Sequence, residues 1–177
     1  MQIENLLEQR KAVIVKKWFD LVIQTYPADT SKFFKTQKDP FANPVGQTVL
    51  RGLEALFDIL LTGPDTDTIS SFLDPIIRIR AVQDFTPSKA VSFIFSLKQV
   101  IRDNLKKELK DSISMVVELL NLESTIDELA LIAFDIYMEC REKIFDLKAN
   151  EEKARTFAAF KRAGLICEIP ATQPDPE

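Results

Sequence analysis

Apolar residues recur along most of this chain at spacings of three and four, the period of a helix with one buried face rather than the alternation of a strand. From Ile3 to about Tyr26, the positions Ile3, Leu6, Leu7, Val13, Ile14, Trp18, Leu21, Val22 and Thr25 approximate one face that stops before Pro27. Residues 27–44 carry three prolines and many polar groups, which makes them a connector with Phe33-Phe34 anchoring a short helical turn. Asn43-Pro44 is a start signal, because an Asn oxygen can accept from first-turn amides and Pro lacks the N–H that would be orphaned there. Val45, Val49, Leu53, Leu56, Phe57 and Leu60 then form a stripe ending at Gly63-Pro64. A helix from Asp65 to about Phe72 is expected next, and Asp74-Pro75 repeats the start signal for another ending near Gln83.

Thr86-Pro87 opens the following helix, with Thr86 as its cap and Ala90, Val91, Ile94, Phe95, Leu97, Val100, Ile101, Leu105 and Leu109 as its apolar positions. Ser112 to Leu122 reads as a short apolar helix, and Ser124-Thr125-Ile126-Asp127 resembles a capping box opening the longest periodic segment. Unbroken from Thr125 to Ala163, that segment would run roughly 58 Å. A compact domain of this size is only about 40 Å across. Asn150-Glu151-Glu152 looks like a fresh start, so the pattern allows either a projecting helix or a break near Asn150 with a final helix folded back. The fold class is all-α: a single helical bundle over residues 1–164 with a long C-terminal helix. Residues 165–177, with Pro170, Pro174 and Pro176, read as a disordered tail.

Composition removes several functions. A net charge of −4 with Lys and Arg interleaved among acids supplies no positive surface for nucleic acid or an anionic membrane. No apolar run approaches the roughly 18 residues that span a bilayer, and Met1-Gln2-Ile3-Glu4-Asn5 does not begin a secretory signal. A cytoplasmic location is expected. Cys140 and Cys167 form no paired spacing for a disulfide scaffold or zinc site. The chain has no histidine, which excludes Ser-His-Asp, Cys-His and Glu-x-x-His chemistry and the ordinary proximal haem ligand. Its four glycines, Gly46, Gly52, Gly63 and Gly164, build neither a P-loop nor a dinucleotide fingerprint.

A few polar residues interrupt the apolar pattern. On a helical wheel, Arg80 and Asp84 fall in the apolar sector with Leu73, Ile76 and Ile77, while Arg78 faces away. They are either an internal ion pair tying this helix to a neighbour or a paired handle for a ligand or partner. Phe85 is placed to staple the turn against Ala90 or another neighbour. In Leu129-Ala130-Leu131-Ile132-Ala133-Phe134-Asp135-Ile136-Tyr137-Met138 apolar residues cover nearly the whole circumference, so the helix is central to the bundle or shared with a second subunit. Tyr137, Cys140 and Arg141 follow on it. The acids Glu123, Asp127, Glu128, Asp135, Glu139 and Glu142 are spread around the helix and read as a solvated face rather than a metal site.

The run Pro75-Ile76-Ile77-Arg78-Ile79-Arg80-Ala81-Val82-Gln83-Asp84-Phe85-Thr86-Pro87-Ser88-Lys89-Ala90-Val91, followed by Phe93 and Leu97-Lys98, resembles the core motif of the RsbRD N-terminal domain family. Arg10-Lys11 to Trp18 and Phe134 to Ile144 are similar to it as well, so the likeness covers about residues 1–160. The resemblance implies a cytoplasmic, all-α sensory or regulatory domain of RsbT co-antagonist type, with no enzymatic activity and no cofactor. Related co-antagonists carry non-haem globin-like input domains, and a globin-like bundle suits a chain without histidine. No STAS or kinase module follows in this sequence, so the expectation is a stand-alone domain that contacts a protein partner and forms a homodimer through the long C-terminal helix. Arg80, Asp84, Tyr137 and Arg141 are the candidate partner- or ligand-binding residues. A bundle with 13 phenylalanines also allows an alternative, a small hydrophobic ligand held in an apolar pocket.

Overall fold

The structure, a computed structural model, describes residues 2–63, 66–83 and 85–165. Among these residues there are seven α-helices and no strand: α1 (Gln2–Ile23), α2 (Ala28–Thr36), α3 (Pro44–Thr62), α4 (Thr66–Val82), α5 (Pro87–Leu105), α6 (Glu108–Asp111) and α7 (Ile113–Arg162). They divide into two units, one ending at Arg141 and the other beginning at Glu142. In the first unit α1 packs against both α3 and α5, and α4 packs along α3. Leu7, Ile14, Trp18 and Val22 of α1 are sealed from solvent in one cluster with Leu53, Leu56, Leu97 and Ile101. Each such side chain contributes about 1.5–3 kcal/mol on burial. Trp18 can be placed there because its indole N–H donates to the Phe93 carbonyl at 2.7 Å, leaving no buried donor unpaired. The all-α bundle is as the periodicity indicates.

Helix starts and stops follow the sequence in part. Asn43 caps α3 as expected, its Oδ1 accepting from the Gly46 amide at 2.9 Å, and its amide group also donates to the Gln37 carbonyl at 2.9 Å. Thr86 does not cap α5 through its side chain. Pro87 removes one orphan donor at that end, and the Thr86 carbonyl starts the helix by accepting from Ala90 at 2.8 Å. That helix ends at Leu105, and Leu109 belongs to the short α6.

Two expected breaks do not occur. Pro75 lies inside α4 rather than starting a helix. It removes one backbone hydrogen bond, but Ile69, Leu73, Ile76, Ile77 and Ala81 form one buried stripe on both sides of it. Tertiary packing therefore carries the helix through. Ser124 and Thr125 likewise do not open a new helix: their hydroxyls turn back onto the carbonyls of Leu120 at 3.1 Å and Asn121 at 3.4 Å. Such back-bonding keeps Ser and Thr inside a helix. The unbroken helix α7 also passes through Asn150, so there is no break or separate final helix there.

Of the expected tail, Leu165 is described and exposed, whereas residues 166–177 lie outside the described residues. The unit beginning at Glu142 is, over its described residues, a helical segment with no buried residue and with Leu147, Phe157 and Phe160 exposed.

Within the first unit α7 has two apolar faces. Met115, Leu119, Ile126, Leu129, Ala130, Ala133, Ile136, Tyr137 and Cys140 are buried against the core. Ile113, Val116, Val117, Leu120, Leu131, Phe134 and Met138 are exposed, and at about 100° per residue all of them fall within roughly 60° of one line on the opposite side. The fully apolar circumference around Leu129 to Met138 is thus half core and half surface.

Gly52 lets α3 and α4 approach closely. A methyl group built there would lie 2.6 Å from Ile76 Cδ1, and Ile76 is fully buried. Gly52→Ala is expected to destabilise the protein by about 1–3 kcal/mol through overpacking. The added substitution Ile76→Val, which removes the Cδ1 atom, is expected to recover most of the loss of melting temperature.

Ion pairs hold the start of the chain. Arg10 bonds both the Asn104 carbonyl and the Glu108 carboxylate, and the Ile3 amide donates to Glu118 at 3.1 Å. The Arg10 hydrogen bond holds the Glu108 carboxyl below its ordinary 4.5. A depressed carboxylate pKa adds stability that is fully present above the unfolded value and is lost as pH falls through the folded one. Carbon NMR titration is expected to place Glu108 below 4.5 in the native protein and to return it toward that value in Arg10→Gln.

Candidate functional site

The polar residues at the C-terminal end of α4 converge on one corner. Arg80 points inward because it shares the α4 face of Ile76 and Ile77, and it is 0% exposed. Its guanidinium lies 4.3 Å from the ring centre of Phe85, 5.3 Å from that of Phe93 and 5.4 Å from that of Tyr26. The Tyr26 and Phe85 rings in turn meet edge to face at 5.2 Å. Nη2 donates to the Lys89 carbonyl at 2.9 Å and to the Thr25 hydroxyl at 3.1 Å. Nε, Nη1 and the Tyr26 hydroxyl are buried with no partner in well-aligned hydrogen-bond geometry, although the guanidinium and the Tyr26 oxygen engage each other as a looser hydrogen-bonded pair. Arg78, by contrast, is exposed and pairs with Asp74 at 2.6 Å.

Magnitudes show how this arrangement holds. Sealing a guanidinium from water costs several kcal/mol. Three desolvated cation–π contacts at about 2 kcal/mol each, with two charge-assisted hydrogen bonds at about 1.5–3 kcal/mol each, are of the same order. The two unmatched nitrogens add a cost of about 1–3 kcal/mol apiece. Burial lowers the Arg80 pKa from its ordinary value, with Tyr26 opposing the shift, yet an arginine stays charged. Burial likewise raises the Tyr26 phenol, against the pull of the Arg80 charge.

Tyr137 and Arg141 of α7 grip the same corner from the other side. The Tyr137 hydroxyl donates to the Phe85 carbonyl at 2.5 Å, and Arg141 Nη1 donates to the Ala81 carbonyl at 3.2 Å. The Gln83 and Phe85 amides close onto the carbonyls of Ile79 and Arg80 at 3.1 and 3.2 Å. The carbonyls of Ile79, Arg80 and Ala81 in the last turn of α4 are thereby satisfied, and two arginines sit at the negative end of its dipole. Of the four residues nominated from sequence, Arg80, Tyr137 and Arg141 meet here. Asp84 lies outside the described residues.

Sequence reasoning did not single out Thr25, Tyr26 or Phe93, which complete the cage. Thr25 and Tyr26 lie more than fifty positions from Arg80 and Phe93 lies on the next helix, and only packing brings them together. Phe85 packs against a neighbour as expected, its ring lying on the guanidinium. One acid was also misplaced by the pattern: Glu123 is 6% exposed and takes Arg102 as a bidentate partner at 2.6 and 2.5 Å. It is not part of a solvated face, and it ties α7 to α5.

Two open depressions lie near the first two helices. The larger, of about 900 Å³ between α1, α2 and α3, has Val15, Phe19, Phe34 and Leu50 in its walls and Lys16 and Lys38 at its rim. The smaller, of about 480 Å³, is walled by Tyr26 and Thr36, with Lys32 and Lys35 beside them. Among the described residues no group of three or more Cys, Asp and Glu side chains could hold a metal ion, and no helix is long and apolar enough to cross a membrane.

A core laid out in this way, with a polar corner fastened by its last helix, is that of an all-α bundle domain. Residues 12–151 match the family described as the RsbT co-antagonist protein rsbRD N-terminal domain, and the chain belongs to that family. Membership makes it a relative of signalling regulatory domains. It is also similar to an uncharacterized protein of Archaeoglobus fulgidus, 26% identical over 142 residues that cover 80% of this chain and 83% of that protein. No solved structure matches it.

Arg80→Met and Arg80→Ala separate the charge of this residue from its volume. The carbonyl of Lys89 also accepts from Ser92 and the Thr25 hydroxyl also donates to Val22, so neither is orphaned when the guanidinium goes. Methionine, close in volume, is expected to leave the melting temperature within a few degrees of the native value, as replacement of buried charge by apolar bulk often does. Alanine leaves a cavity and is expected to cost about 2–5 kcal/mol in chemical denaturation.

Proposed function

We propose that this protein is a non-enzymatic cytoplasmic regulatory domain that acts in signal transduction through protein–protein contact and pairs with a second copy of itself along α7. The observation that carries this reading is the second apolar face of that helix. Val117, Leu120, Leu131, Phe134 and Met138 are exposed along about six turns, in a segment whose other side already fills the core. Two exposed apolar patches on one side of a helix, parted by Ser124 and the Lys98-paired Asp127, are of the kind that marks an interaction surface. Family membership supports the signalling role, and the missing histidine and glycine motifs support the absence of catalysis.

A second reading, a small hydrophobic ligand, draws support from the groove of about 900 Å³ beside α1. Its open, lysine-rimmed shape suits a surface contact better than the enclosure of an apolar molecule. Partner contact along α7 is therefore preferred.

Sedimentation equilibrium of the full chain decides the pairing. The native protein is expected to be dimeric, and Leu131→Glu with Phe134→Glu is expected to give a monomer of unchanged helical content. A monomeric native protein would remove the self-pairing. A dimer unaffected by the double substitution would move it to another face.

A further inference from the structure

We propose that the occupant of the exposed α7 face at Leu131, Phe134 and Met138 is the basic end of the same helix in a second copy, laid antiparallel, so that each copy covers the other. This assignment rests on the self-pairing proposed above and adds its direction and its register. Among the described residues from Glu142 onward none is buried, and Phe157 and Phe160 are exposed. A helical stretch of about twenty residues that buries no face is marginal in water. The two rings are three positions apart and lie on one side of it, with Lys153 between them on a helical wheel.

Charge gives the direction. The exposed acids Glu128, Asp135 and Glu139 fall, at about 100° per residue, along a single flank of the line through Leu131, Phe134 and Met138. Asp127 is taken by Lys98 at 2.6 Å and Glu139 lies within reach of the Arg78 charge, whereas Glu128 and Asp135 form no ion pair among the described residues. Residues 153–163 contain Lys153, Arg155, Lys161 and Arg162 and no acid. Arg155 is engaged by Glu152 within its own helix at 3.0 Å, which makes Lys153 and Lys161 the bases beside the rings. The helix dipole accounts for bases in the last turn. It does not account for the row of acids, because α7 begins at Ile113, about four turns before Glu128. A parallel partner would set acids against acids and bases against bases, and an antiparallel one sets each against the other.

Spacing gives the register. Leu131 and Phe134 are separated as Phe157 and Phe160 are, so an antiparallel copy that sets its Phe157 opposite Phe134 also sets its Phe160 opposite Leu131. In the same register Lys161 comes within one turn of Glu128, and Lys153 within one turn of Asp135. The two-fold axis passes between Phe145 and Asp146, and both patches are used twice.

The test is sedimentation equilibrium of the full-length protein and three variants. Lys153→Glu with Lys161→Glu is expected to weaken the dimer about tenfold or more, because each reversed pair occurs twice in a symmetric dimer. Adding Glu128→Lys and Asp135→Lys to the same chain is expected to restore it. Phe157→Glu with Phe160→Glu is expected to give a monomer that still unfolds cooperatively, since neither ring belongs to the core. Parallel pairing would leave the dimer as tight or tighter in Lys153→Glu with Lys161→Glu. A native dimer that behaves so, or that survives the loss of both rings, retains the self-pairing and overturns the antiparallel assignment. A native monomer overturns the self-pairing itself, and one that binds phosphatidylglycerol vesicles through Phe157 and Phe160 makes the occupant a membrane surface instead.

Discussion

A cation without water is the constraint around which the compact unit is organised. The guanidinium of Arg80 can be buried only if aromatic faces and acceptors reach it together, and these come from separate parts of the chain. Tyr26 and Thr25 follow α1, Phe93 and Lys89 belong to α5, and Phe85 lies in the turn between α4 and α5. Displacing any of these elements would expose a charge to a half-formed, low-dielectric site, where it costs most. Apolar burial alone tolerates sliding; a caged guanidinium specifies one register.

That corner is also where the last helix is fastened. Tyr137 and Arg141 bond carbonyls of the same turn, and Arg102 with Glu123 fixes α7 to α5 nearer its start. The helix therefore meets the core through polar clamps at two heights, with an apolar seam between them. Its outer face carries exposed apolar residues on either side of Ser124 and Asp127.

The fold was legible where local chemistry and packing agree. Asn43-Pro44 reads as a helix start and is one, and the stripe from Val49 to Leu60 is buried as its period indicates. It was not legible where the core overrides local signals. Asp74-Pro75 has the chemistry of a start, yet Leu73 and Ile76 on either side of it are both fully buried, and their burial outweighs the lost backbone bond. Ser124-Thr125 offers caps that a continuing helix does not need. The candidate site was half visible. A helical wheel places Arg80 inside, but the cage also needs Thr25 and Tyr26 from more than fifty positions away, and no spacing rule joins Tyr26 to Phe93. Glu123 illustrates the converse, an acid indistinguishable in sequence from its exposed neighbours until its partner on α5 is known.

The chain has one tryptophan, and its position has a practical consequence. Trp18 is fully buried and stacks on Phe93 at 6.4 Å, the same ring whose other contacts include the Arg80 guanidinium. The indole is therefore one ring removed from the caged charge. The emission of this single, natural fluorophore is thus a probe of the ring on which that charge rests, with no label introduced and no competing tryptophan to mask it.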